Sequence, residues 1–187
     1  MPKAESFGPE WARLAREIAA CTRCPLHRTR RQVVIYRGAP RPRVLFVGEA
    51  PGAEEDRVGL PFVGRSGRRL DRAIEAIGLR EGDFGILNVI KCRPPSNRFS
   101  RTANVACRPF LDRQLALLRP EWIVTLGAHA LSAFDADAPS VTRCAGTVRS
   151  WGSTPLFPMR HPAAALHAPK YRKRWERDVQ RLADHLS

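Results

Sequence analysis

Three groups of residues in this sequence have the types and spacing to do chemistry. The first lies in "VGEAPGAEEDRVGLPFVGRSG", Val47 to Gly67, where glycines and prolines surround Glu49, Glu54, Glu55 and Asp56 just after a run of strand formers. Glycine-rich loops after strands usually cradle phosphates. A phosphate loop needs its Lys-Ser/Thr, however, and a dinucleotide fingerprint needs G-x-G-x-x-G leading straight into a helix. Neither is present. "GEAPG" instead offers backbone amides made accessible by glycine, Gly52 among them, next to the Glu49 carboxylate at the end of a strand. Such a site suits a neutral group and a developing cation as much as an anion. Glu54, Glu55 and Asp56 read as caps for the loop and helix. The second is Asn88, which ends the apolar run "FGILN" where an amide side chain costs energy unless it is paired.

The third group is the cysteines. Cys21 and Cys24 form a C-x2-C pair in an arginine-rich, loop-like stretch, and Cys92 and Cys107 follow far downstream with fourteen residues between them. Four separate buried thiols would be the bland alternative, since free cysteine packs as a small hydrophobe. That suits the lone Cys144 and suits Cys21 and Cys24 poorly. A C-x2-C joined in space by a second pair supplies four thiolates to one metal centre, and spacing does not separate zinc from an iron–sulfur cluster. Such a centre gathers Arg23, Arg28, Arg30, Arg31, Arg93 and Arg108 around one rim, with Arg30 and Arg31 the expected DNA contacts.

Charge points the same way. Lys and Arg outnumber Asp and Glu by 32 to 18, for a net charge of +14 on 187 residues. An excess this large on a small chain predicts a polyanionic partner, nucleic acid before a membrane surface or an acidic protein. No apolar stretch approaches the ~18 residues that span a bilayer. "MPKAESFGPEW" lacks the apolar core of a signal peptide, so a reducing, cytoplasmic setting is expected.

The elements that must position these groups alternate. Trp11, Leu14 and Ile18 predict a helix within the first twenty residues. Strands are expected in "RVLFVGEAPG" up to Gly48, "FGILNVIKC", "EWIVTLG" and "TPLFPMRHP". Between them, Leu70, Ile74 and Ile77 stripe one helix closed by Gly78. Leu111, Leu115 and Leu118 stripe another, which Pro109 kinks or delays. "AHALSAF" is a short helix and "YRKRWERDVQRLADHL" a closing basic one. The fold class expected is α/β: a single three-layer α/β/α domain over 1–187 with a central, mainly parallel four-stranded sheet. In such folds the working loops lie at the carboxyl ends of strands. The loops Gly48–Gly67, Asn88–Asn97 and Arg160–Leu166 should therefore converge on one crevice.

The motifs "GEAPGAEED", "GLPFVGRSG", "LNVIKCRPP" and "RHPAA", in this order and with this four-cysteine spacing, resemble the family four uracil-DNA glycosylases, iron–sulfur members of the uracil-DNA glycosylase superfamily. The match runs from about Cys21 to the last helix. The resemblance implies a monomeric DNA repair enzyme that flips uracil out of DNA and hydrolyses its bond to the sugar. It also implies that Cys21, Cys24, Cys92 and Cys107 hold a [4Fe–4S] cluster. On the same resemblance His161 donates to the departing uracil anion, Asn88 reads the edge of the base and Phe62 stacks on it. Glu49 is the pocket carboxylate. Ala50 stands where other branches carry a polar, water-activating residue, and Leu166 fills the gap left by the base. The basic insertion of the branch that bonds covalently to uracil sites is absent after Lys91, which implies turnover. Two other readings are a catalytically weak uracil- or single-strand-binding relative and a zinc-containing nucleic-acid-binding module. A binding module needs only a basic rim and aromatic surfaces. Glu49, Asn88 and His161 on three convergent loops are what it leaves unexplained.

Overall fold

The computed structural model describes residues 7–187. Helix α1 (Gly8–Ala19) buries Trp11, Leu14 and Ile18, the residues that predict it. It is the helix expected within the first twenty residues, of which residues 1–6 lie outside the described residues. The chain continues through β1 (Arg37–Gly38), β2 (Val44–Gly48), α2 (Ala53–Val58), α3 (Arg65–Ala76), β3 (Phe84–Asn88), α4 (Arg101–Leu118) and β4 (Trp122–Leu126). Then follow α5 (Ala128–Ser132), α6 (Val141–Cys144), β5 (Arg149–Trp151), β6 (Thr154–Met159) and α7 (Pro169–Leu186).

The sheet order is β1-β3-β2-β4-β6-β5. The inner four strands are parallel and correspond to the four that the sequence predicts. The sheet has six strands rather than four, because β1 pairs antiparallel with β3 and β5 pairs antiparallel with β6. These edge strands are two and three residues long, too short for any periodic pattern to appear in sequence.

Residues of β2 alternate between two cores, as a pleated strand requires. Val44 and Phe46 pack with Leu70 and Ile74 of α3 and with Trp175, Leu182 and Leu186 of α7. Leu45 and Val47 pack with Trp11 of α1 and with Leu111, Leu115 and Leu118 of α4. Helices therefore cover both faces, which makes the three layers and leaves the strand ends as the open rim.

Local chemistry accounts for the helix ends. After α3, Gly78 (φ +77°) donates to Glu75 O at 3.0 Å and Leu79 donates to Ile74 O at 3.2 Å. This is the paired closure a left-handed glycine allows. The acidic stretch expected to be loop contains α2, stopped by Gly59 at φ +82°. Helix α4 begins eight residues before Pro109 and runs through it, so proline does not delay it. Its start is set by the Ser100 side chain, which accepts the Ala103 N–H at 3.2 Å. Among the described residues no helix is long and apolar enough to cross a membrane.

Candidate active site

The loops that follow β2, β3 and β6 meet around a cleft of about 510 Å³, lined by Glu49, Ala50, Gly52, Phe62, Asn88 and His161 among others. Strand β2, with β3 on one side and β4 on the other, is where the strand order runs both ways, and parallel sheets hold ligands beyond that point. A larger hollow of about 1230 Å³ lies beside β1, walled by Trp11, Leu60, Leu79 and Phe84, and holds none of the expected site residues.

The floor of the cleft is set by backbone pairing. Beyond the ends of β2 and β3, the Val89 N–H donates to Gly48 O and the Ile90 N–H to Glu49 O, each at 2.9 Å. Glu49 is thereby fixed just past the strand, with its side chain half-buried. Burial pushes its carboxyl above the usual carboxylate range, while His129 pulls it down. Asn88 is 1% exposed, and among the described residues neither its Oδ1 nor its Nδ2 has a hydrogen-bond partner. A buried amide left unpaired costs about 1–3 kcal/mol, so it marks a position kept for something else to bind.

Phe62 is buried with φ +54°, a left-handed backbone that costs a non-glycine residue roughly 1–3 kcal/mol and persists only where neighbours impose it. They do so here. A Cβ on Gly67 would lie 1.8 Å from Phe62 O, so only glycine lets α3 start this close. Arg37, paired with Asp71 at 2.6 Å, donates to the same oxygen at 3.4 Å. The Glu55 carboxylate accepts the N–H groups of Gly52 (3.1 Å), Val63 (2.9 Å) and Gly64 (2.8 Å), and so joins the two arms of the loop. Asp56 accepts from the Arg31 and Gln32 amides at 2.9 and 3.4 Å. Glu55 and Asp56 are thus structural caps, as expected.

His161 follows β6 with its ring centre 5.8 Å from that of Phe62. The Ala163 N–H donates to its Nδ1 at 3.2 Å, which leaves the proton of the neutral ring on Nε2. Burial pushes its pKa down to about 4, against the pull of the Glu55 carboxylate, so the ring is a neutral donor at pH 7. A Cβ on Gly127 would stand 3.2 Å from His161 Cβ, so the β4–α5 connection backs the histidine closely.

Not every expected residue reaches the cleft. Leu166 is half-buried on the short turn Ala164–Leu166 and is outside the lining. Arg30 turns inward, its guanidinium donating to Cys21 O (2.9 Å), Ala19 O (3.1 Å) and Cys92 Sγ (3.3 Å). Arg31 is exposed. Conversely, Asn97, Arg65 and Ser66 line the cleft without having been singled out. The signal available for Asn97 was its place in the polar loop after β3. Arg65 and Ser66 open α3 within the glycine-rich stretch.

The four spaced cysteines converge. Cys24, Cys92 and Cys107 are buried in one cluster with Leu26, Ile90 and Ala103, and Ala50 of the cleft packs against it. Burial raises the Cys107 thiol, and Cys24 and Cys21 raise it further. Burial likewise raises Cys92, with added repulsion from Cys107 and Cys24, although Arg30 opposes the shift. All five cysteines are free, and Cys144 lies apart beside Pro139 O at 3.4 Å. Lys91, which sequence reasoning passed over, is buried among them. Desolvation pushes its ammonium down to about 8, and Cys107 and Cys92 pull it up. Among the described residues no group of three or more His, Cys, Asp or Glu side chains is arranged to hold a metal ion.

Comparison with known proteins agrees with this geometry. The family model of the uracil DNA glycosylase superfamily matches residues 35–182. The type-4 uracil-DNA glycosylase of Archaeoglobus fulgidus is 39% identical, over 91% of this chain and 90% of its own. That of Thermotoga maritima is 42% identical over 82% and 81%, and that of Sulfurisphaera tokodaii 38% identical over 92% and 83%.

Proposed function

The chain belongs to the uracil-DNA glycosylase superfamily and to its type-4 branch, and on that premise we propose that it excises uracil from DNA by hydrolysis, leaving an abasic site. The observation that carries the reading is Asn88, a buried amide in the wall of a cleft with its donor and its acceptor both unpartnered among the described residues. Uracil presents N3–H and O4 side by side, which that amide satisfies with Oδ1 and Nδ2. Cytosine presents the reverse pattern.

The steps follow from the side chains around it. Uracil leaves the stack and enters the cleft against the Phe62 ring. The N1–C1′ bond breaks and its electron pair leaves with uracil. His161 Nε2–H donates to the carbonyl oxygen beside N1 as that anion forms. Being neutral, His161 stabilises charge in the transition state rather than binding an anion beforehand. The Glu49 carboxylate faces the cation left on the sugar and orients the water that adds to C1′; the proton that water loses balances the one the uracil anion takes up. Ala50 has no polar side-chain atom for that task. The backbone of Gly52 borders the base, and Leu166 acts as the wedge behind it. Arg31 contacts the phosphate backbone.

The cysteine set fits an iron–sulfur cluster by its donor chemistry: four free thiols from three segments, with a guanidinium donating to one sulfur. Cys21, Cys24, Cys92 and Cys107 hold a [4Fe–4S] cluster in this reading. When bound, it supplies thiolate–iron bonds that tie the N-terminal segment to the loop after β3. The protein acts as a monomer, one domain over residues 1–187, in the reducing cytoplasm where such thiols stay available.

The test is excision from matched duplexes carrying uracil or cytosine. Wild-type protein should release uracil and leave cytosine. Asn88→Asp should lose uracil excision while the fold persists. Undiminished uracil release by Asn88→Asp would overturn the assignment.

A further inference from the structure

Phe99 is 37% exposed, the only exposed phenylalanine among the described residues. Its ring lies flat on that of His129, with centres 4.1 Å apart and planes within 4° of parallel. Among the described residues no second ring pairs with it, so the stack turns an aromatic face outward. The two residues come from different elements. Phe99 ends the loop after β3, two residues before α4, and His129 stands in α5, just after β4. Strands β3 and β4 lie on opposite sides of β2, so this contact bridges the far end of β2, where Glu49 stands. Helix α5 packs through Leu131 with the α4 side of the sheet, whereas Phe62 packs with the α7 side. The end of β2 is thus flanked by two aromatic rings, Phe62 in the lining of the cleft and Phe99 outside it.

The loop that carries Phe99 is fixed by its own turn. Ser96 and Asn97 both hold left-handed backbone, at φ +54° and +53°, which non-glycine residues keep only where neighbours impose it. Pro94 O accepts the Asn97 N–H at 3.0 Å and Pro95 O the Arg98 N–H at 3.2 Å. Asn97 Oδ1 accepts from Arg93 Nε at 3.1 Å. The turn puts Pro94 and Asn97 in the wall of the cleft and leaves Phe99 on the rim between Arg98 and Arg101. Both arginines are exposed, and among the described residues neither makes an ion pair. Uncommitted cations around an exposed ring are what holds unpaired nucleic acid, since cations follow the phosphates while the ring takes a base. We propose that Phe99, laid flat by His129, is the platform on which the base next to the extruded uracil stacks, a contact made in single-stranded DNA. The proposal rests on the uracil-excision reading above and deepens it by naming the form of DNA that the rim recognises. In a duplex that neighbour keeps its own pairing and stacking, and has less to gain from Phe99.

Three substitutions separate stacking from apolar bulk. Phe99→Ala removes the side chain, Phe99→Leu keeps apolar volume without an aromatic face, and Phe99→Tyr keeps the face. Each is purified as the whole chain. The probe is a single strand carrying a non-cleavable 2′-fluoro-deoxyuridine, with 2-aminopurine directly 5′ of it, directly 3′ of it, or far from it. Stacking quenches the fluorescence of 2-aminopurine. Affinity and fluorescence are measured for each strand alone and annealed to its complement, and affinity also for the strand with thymidine in place of the uracil analogue.

Phe99→Ala and Phe99→Leu should bind the single strand about 5- to 150-fold more weakly than wild type, the range for removing an aromatic ring that stacks on one base. Their affinity for the duplex should fall by less. In their single-strand complexes 2-aminopurine should be brighter than in the wild-type complex at one position next to uracil, and unchanged at the distant one. Phe99→Tyr should follow wild type. Should Phe99→Ala fail to fold, Phe99→Leu still makes the comparison. Wild-type affinity for the single strand and wild-type fluorescence at both neighbouring positions in Phe99→Leu would overturn the proposal, as would equal losses on strand and duplex. Failure of the uracil reading looks different, since wild-type protein would then bind the uracil analogue no better than thymidine. With no extruded base to set its neighbour, the platform would fall with that reading.

Discussion

Gly48 and Asn88 are partners across the β2–β3 pair, and a Cβ built on Gly48 would lie 2.4 Å from Asn88 Oδ1 and 2.5 Å from the Phe62 ring. The missing side chain at Gly48 is the space in which the amide and the ring come together. Glycine here serves close approach, not backbone conformation, since Gly48 is not among the glycines of positive φ.

Gly48→Ala should therefore damage recognition before it damages the fold. Overpacking by one methyl in a close-packed site costs typically about 1–3 kcal/mol. The added carbon displaces Asn88 or Phe62, because both stand within 2.6 Å of it. Thermal melting should show a drop of that size, and excision assays a larger proportional loss. Wild-type excision by Gly48→Ala would mean that neither side chain holds the base.

Glu49→Gln should stabilise the protein while impairing it. Burial raises the folded-state pKa of this carboxyl above its value in the unfolded chain. The contribution to stability is thus full at pH below the ordinary carboxylate pKa of 4.5 and is lost as pH rises through the folded value. At neutral pH the ionised group is a burden that Gln relieves. The melting temperature at pH 7.5 should rise, and single-turnover excision should fall on the order of a hundredfold. A lower melting temperature would contradict this electrostatic account.

His161 should leave a mark on acid stability. Its folded pKa is about 4 against an ordinary value of 6.5, so between these values the unfolded chain takes up a proton that the folded protein refuses. Stability should decline as pH falls from about 6.5 to about 4. Urea unfolding of His161→Gln should show a shallower decline than wild type over that window and no difference in slope above it. Identical pH profiles would place the histidine in water.

Arg30 and Arg31, adjacent in sequence, should behave differently. Arg30 spends its guanidinium on Cys21 O, Ala19 O and Cys92 Sγ, so Arg30→Ala should lower iron content and thermal stability. Arg31 is exposed, and Arg31→Ala should reduce the salt slope of binding to undamaged DNA by ~0.9 units, one phosphate contact on B-DNA, with iron unchanged. Equal effects of the two substitutions on salt slope would contradict the inward role of Arg30.

That pair also shows how far sequence reaches. The four inner strands were legible because each is a buried apolar run ending in a polar loop, and that rule alone brings Glu49, Asn88 and His161 to one rim. Cysteine spacing anticipates a common neighbourhood for Cys21, Cys24, Cys92 and Cys107, since two pairs must meet to be useful. Strands β1 and β5 were not legible, because two or three residues of backbone pairing leave no side-chain period. The direction of a long side chain was not legible either. Nothing in "RTRR" says that Arg30 folds back on the cysteines while Arg31 faces water. Lys91, in "NVIKC", reads as the polar end of a strand, and its burial follows only from what packs around it.

The central claim is that His161 stabilises uracil as it leaves, and single-turnover excision by His161→Ala beside wild type tests it most directly. The hydrogen bond from Nε2 strengthens as the glycosidic bond breaks, so its loss should cost rate far more than binding. Removing one such donor typically slows the chemical step about 100- to 1000-fold. The account predicts a fall of that order in the excision rate, with affinity for uracil-containing DNA and iron content near wild type. Excision at the wild-type rate by folded His161→Ala would contradict it and put the chemistry elsewhere than in this cleft.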